Sequence, residues 1–83
     1  MITKDKKEEF VKKFVDKLIL SFPELKGDIK YEYNDEENQF IISHHNYNLH
    51  YNNTGFYAMV RSLTRDILYS NEVLNFSFKV LND

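Results

Sequence analysis

The chain has 83 residues, 42% of them hydrophobic, with no cysteine and a formal net charge of −2. That length makes a single domain, residues 1–83, able to bury only roughly 60% of the surface its unfolded form exposes; seven Phe and six Tyr give it a dense core and exclude a disordered chain. Disulfides and thiolate chemistry are excluded, and the near-neutral balance argues against nucleic-acid binding through net charge.

Residues 1–30 carry eight Lys against six acids, residues 31–55 carry four acids and no Lys or Arg, and residues 56–83 balance three against three. The charged opening Lys4-Asp5-Lys6-Lys7-Glu8-Glu9 is unlike the apolar stretch of a signal peptide, and no run approaches the length of a membrane span, which sets a cytoplasmic expectation with no membrane partner.

A first helix is expected from Thr3 as N-cap to about Ser21, with Phe10, Val11, Phe14, Val15, Leu18 and Phe22 forming one stripe and Leu20 off it. Pro23 ends it, and Gly27 closes a short turn in a left-handed conformation. From Ile29 to Tyr51 apolar and polar residues alternate, which reads as three short antiparallel strands. Asn34-Asp35-Glu36-Glu37-Asn38 turns the first into the second, with Tyr33 opposite Phe40 on the buried face. A turn at His45-Asn46 then pairs His44 with Tyr47, Ile42 with Leu49 and Phe40 with Tyr51. Thr54 caps a second helix from about Gly55 to Tyr69, buried along Phe56, Met59, Val60, Leu63 and Ile67. A fourth strand alternates from Val73 to Leu81, with Leu74, Phe76, Phe78 and Val80 inward.

The order is therefore α-β-β-β-α-β: an α+β two-layer sandwich, with a mainly antiparallel four-stranded sheet and both helices on one face. The last strand returns parallel to a strand of the meander through a right-handed crossover, lying beside the first strand or the third. The first five elements share their order with double-stranded-RNA-binding domains, but Thr54-Gly55-Phe56-Tyr57-Ala58-Met59 lacks a phosphate-gripping lysine cluster, so no family is assigned.

In this arrangement His44 faces the core, His45 sits in the turn and His50 lies on the opposite face, so the three do not converge and no metal site follows. There is no Gly-rich phosphate loop and no nucleophile elbow, and Asp35, Glu36 and Glu37 lie on a solvated tip that does not tune a carboxylate pair. No catalytic residue and no cofactor are expected. The leading surface is on the second helix, where Tyr57, Arg61, Arg65 and Tyr69 follow at four-residue spacing with Leu68 alongside. Tyr and Arg dominate protein-protein hot spots.

The reading is a non-catalytic protein-interaction module of inhibitor or immunity type, its composition suggesting a phage or mobile-element source. It occludes a partner's surface through Tyr57, Arg61, Arg65, Leu68 and Tyr69, with Asp35, Glu36 and Glu37 steering a basic partner. The alternative is a small nucleic-acid-binding regulator using Lys6, Lys13, Lys17, Arg61 and Arg65, with Asp5, Glu9 and Asp16 on the other flank of the first helix. Homodimerisation through a sheet edge is open, since no strand carries Pro.

Overall fold

A computed structural model describes residues 3–82. Helix α1 spans Lys4–Ser21, and Thr3 caps it by accepting the Lys6 N–H on Oγ1 at 3.3 Å. Val11, Phe14, Val15 and Leu18 are buried along one face, whereas Leu20 is 80% exposed. Pro23–Leu25 adds a 3₁₀ turn, and Gly27, at φ 86°, takes the left-handed conformation that turns the chain into the sheet.

Strand β1 (Lys30–Asn34) and strand β2 (Gln39–His44) form an antiparallel hairpin in which Tyr33 faces Phe40 and Tyr31 faces Ile42. Strand β3 (Phe76–Val80) pairs with β2 in parallel, placing Phe76 beside Phe40, Phe78 beside Ile42 and Val80 beside His44. Because side chains alternate across a sheet, these residues share one face, against which the helices pack. Phe14 of α1 meets Phe78 edge-on at 5.9 Å, and Phe22 meets Phe56 at 5.2 Å; such pairs contribute about 0.5–1.5 kcal/mol beyond their burial. The inward Leu74 of the sequence reading precedes β3 and is 66% exposed.

The four-stranded, mainly antiparallel sheet is overturned: the sheet has three strands in the order β1-β2-β3 and is mixed. The expected third strand is instead helix α2, Tyr47–Asn52, so the resemblance in element order to RNA-binding domains goes with it. Local hydrogen bonding decides the matter. Asn46 Oδ1 accepts the Leu49 N–H at 3.0 Å, an N-cap that starts a helix where a strand needs a ladder partner. Of the alternating set only Leu49 goes inward at 4% exposure; Tyr47 and Tyr51 meet each other at 5.0 Å, a helical i,i+4 contact.

Asn53, rather than Thr54, caps helix α3 (Thr54–Leu63), accepting the Phe56 N–H on Oδ1 at 2.9 Å. The helix runs on into a π turn at Thr64–Leu68 and a 3₁₀ turn at Tyr69–Asn71. The crossover from β2 through these helices returns β3 parallel, as expected, but beside β2 and not beside the first or third expected strand. Helix α2 stands where the third strand was expected and leaves the second strand free to pair.

Candidate functional site: a histidine pair beneath an aromatic cleft

Where β2 ends, the chain has no ladder left to continue, and His44, 0% exposed, faces the core. Its Nδ1 accepts the Asn46 N–H at 3.1 Å. One turn into α2, His50 brings its Nδ1 to 2.9 Å from His44 Nε2. These two contacts fix the protons. A neutral imidazole carries one N–H, and Nδ1 of His44 is already an acceptor, so its hydrogen is on Nε2 and is donated to His50 Nδ1. His50 must then carry its own hydrogen on Nε2.

The two histidines therefore converge, contrary to the sequence expectation, because α2 replaces the strand that put them on opposite faces. Burial foremost, then the neighbouring His50, pushes the His44 pKa down; His45 acts in the same direction and Asp28 opposes it. Burial likewise lowers His50. Among the described residues no group of three His, Cys, Asp or Glu is placed to hold a metal ion.

The His50 ring stacks on Phe78 at an interplanar angle of 12° and meets Tyr51 edge-on at 4.8 Å. Together with Phe56, Tyr57, Val60 and Phe78, it lines an open cleft of about 200 Å³ between α2, α3 and β3. Nothing in the residue spacing announces this cleft. Its one local signal is the pair of N-caps, Asn46 and Asn53, which start the two helices that flank it.

His45 belongs to a different device. Asp28 grips it twice, accepting its backbone N–H at 2.9 Å and meeting its ring Nδ1 at 2.8 Å, which ties the entry of β1 to the exit of β2. Burial alone raises the Asp28 pKa, but the backbone and side-chain hydrogen bonds from His45, with the charges of His45 and His44, bring the net shift below the usual carboxylate value.

The Tyr and Arg residues of the sequence reading form a ladder along the exposed side of α3 and the turns after it. Tyr57 is 60% and Tyr69 54% exposed; the Arg61 guanidinium lies 5.8 Å from the Tyr57 ring, and Arg65 Nε contacts Asp66 Oδ1 at 3.2 Å. Tyr57 borders the cleft, and Tyr69 meets Phe76 at 5.9 Å toward the other end of the sheet. Leu68, assigned to this surface, is instead fully buried. The cause is the π turn: with i→i+5 closure, the fifth residue after Leu63 rather than only the fourth swings over the core, so Leu68 joins Ile67 inside.

Asp35, Glu36 and Glu37 are exposed at the β1–β2 tip, where Asn34 Oδ1 accepts the backbone N–H groups of Glu36 and Glu37 and the Asn75 side chain donates to the carbonyls of Glu37 and Asn38. The tip precedes Gln39 and the histidine pair follows from His44, so the length of β2, about 17 Å, separates them. On α1, Lys6 pairs with Glu9 at 3.5 Å. Lys13 and Lys17 share an open groove with Glu9, Lys12, Asp16 and Leu20, so acids interleave with lysines where separate flanks were expected.

Comparison with protein-family models, with curated proteins and with solved structures found no match. Among the described residues no helix is long and apolar enough to cross a membrane.

Proposed function

We propose that this chain is a non-catalytic protein-interaction module that occludes a partner's surface through the outer side of α3, using Tyr57, Arg61, Arg65 and Tyr69. The observation that carries the reading is the exposure of Tyr57 and Tyr69, more than half in each case, with two arginines between them. A folded domain gains little by holding phenol rings and guanidinium groups in water, whereas these are the side chains that anchor interfaces. Tyr51, 63% exposed and edge-on to the His50 ring at 4.8 Å, is a further exposed aromatic side chain. An inhibitor or immunity-type role in the cytoplasm, including one carried by a phage or mobile element, is the simplest form of such occlusion. The acidic tip at Asp35, Glu36 and Glu37 serves as a steering charge for a basic partner rather than as part of the anchor, given its distance along β2. The nucleic-acid alternative loses support where acids interleave with Lys13 and Lys17.

Capture from nuclease-treated lysate of the source cells, with tagged wild-type chain and with the Tyr57→Ala, Arg61→Ala double variant, tests the proposal. The expected result is a protein retained by the wild type and reduced about tenfold or more in the variant, as loss of two anchors implies. Lys13→Ala with Lys17→Ala should capture it normally. Equal capture by wild type and the Tyr57, Arg61 variant, or loss of every partner on nuclease treatment, contradicts the reading.

A further inference from the structure

The cleft above the histidine pair has two properties that an incidental surface hollow lacks. The first is its lining. Phe56, Tyr57, Val60 and Phe78 supply apolar and aromatic walls, and the polar groups among the lining residues are the His50 ring and the Tyr57 hydroxyl. The second is that His50 is held in one protonation form by a chain of two hydrogen bonds. The Asn46 N–H occupies His44 Nδ1, His44 Nε2–H occupies His50 Nδ1, and the hydrogen of His50 is thereby confined to Nε2. That N–H has no acceptor among the described residues, and no side-chain nitrogen or oxygen that is fully buried lacks a partner, so it reaches solvent. An ordinary surface histidine exchanges between tautomers and offers donor or acceptor to whatever approaches. This one is a committed donor.

Size narrows the ligand. A drug-sized molecule needs a cleft of about 300–1,000 Å³, and a cavity of about 150 Å³ holds benzene in another protein. About 200 Å³ therefore takes one aromatic ring with a small substituent. We propose that the cleft between α2, α3 and β3 is a binding site for a small molecule built on a single aromatic ring bearing a hydrogen-bond acceptor, with Phe78, Phe56 and Tyr57 contacting the ring and His50 Nε2–H donating to the acceptor. Ring nitrogens and aryl carbonyls are the acceptor classes. His44 is the positioning residue: it does not reach the ligand and acts by fixing which nitrogen of His50 carries the proton. The site adjoins the α3 surface through Tyr57 and does not depend on a protein partner.

The test is an NMR titration of the whole chain at a pH where 4-methylpyridine is uncharged, using that compound and its hydrocarbon match, toluene, as probes. For ligands of so few atoms the expected dissociation constants are about millimolar, with amide shifts at His50, Phe56, Tyr57 and Phe78. Comparing wild type with His50→Phe, which keeps a ring and removes the donor, cancels the difference in hydration between the probes. The affinity ratio of 4-methylpyridine to toluene should fall roughly fivefold in the variant, the worth of one net hydrogen bond. Val60→Phe, which fills the cleft and leaves both histidines intact, should remove the shifts with both probes and stands in if His50→Phe does not fold. No shifts at the cleft, shifts that persist in Val60→Phe, or an unchanged probe ratio in a folded His50→Phe protein each overturn the proposal. Capture of the protein partner is unaffected by either probe result, so the two readings fail separately.

Discussion

Lowering the pH from 7 to 5.5 should weaken this fold, and the histidine pair sets by how much. His44 is fully buried, and its pKa is lowered first by that burial and then by His50, with Asp28 opposing. In the unfolded chain the same ring titrates near its ordinary value of about 6.5. Below that pH the unfolded state binds a proton that the folded state refuses. Stability is therefore undiminished above about 6.5 and declines as pH falls toward the lowered native value. While the folded ring stays neutral, each further pH unit costs about 1.4 kcal/mol, so the step from 7 to 5.5 costs at most about 1.3 kcal/mol for His44, the value reached when the folded ring takes up no proton in that window. His50 is partly open to solvent and adds less than that.

Against a total of about 4–12 kcal/mol for a domain of this length, the loss is a sizeable fraction. With a urea m-value of about 1 kcal/mol/M it moves the unfolding midpoint down by up to about 1 M. Asp28 does not confuse the measurement. Its folded pKa is below the usual carboxylate value, so its contribution is present above that value and is lost only as pH falls through the folded value, outside the window. His44→Phe, which keeps a ring in the core and removes the titration, should flatten the midpoint between the two pH values. An identical midpoint at pH 7 and 5.5 in the wild type, or an undiminished shift in His44→Phe, refutes the reasoning.

Other substitutions separate core from surface by chemical denaturation. Leu68→Ala should cost about 2–5 kcal/mol, whereas Leu20→Ala, at a position 80% exposed, should stay within about 0.5 kcal/mol of wild type. Asp28→Ala removes both contacts to His45 and should cost about 1–3 kcal/mol. Gly27→Ala meets no steric neighbour within 4 Å, so its expected cost of about 1–2 kcal/mol is purely that of holding a Cβ at φ 86°.

The parts of the fold legible in the sequence are those where one local rule acts without a competitor. Thr3 caps α1, Pro23 and Gly27 end it, and the polar loop at Asn34 fixes Tyr33 opposite Phe40. Alternation misled at Tyr47, Leu49 and Tyr51, because six residues span fewer than two helical turns and both periods fit so short a run. The arbiter was Asn46, whose side chain offers the Leu49 N–H a partner before any neighbouring strand can. From that one element follows the histidine pair: a strand sends His50 to the far face, while a helix lays it on His44. Tyr57 and Arg61 stay on the outside of α3 as simple i,i+4 spacing requires, whereas the π turn after it carries Leu68 inside, and such a turn has no signature in residue type.

The most direct test of this arrangement is long-range ¹H–¹⁵N NMR of the histidine rings at neutral pH. Both His44 and His50 should show a protonated Nε2 and a bare Nδ1, each in a single tautomer, with the His44 Nε2 hydrogen protected from solvent exchange. A proton on Nδ1 of either ring, or rings averaging between tautomers, would mean that α2 does not carry His50 onto His44 and that the cleft above them is not built as described.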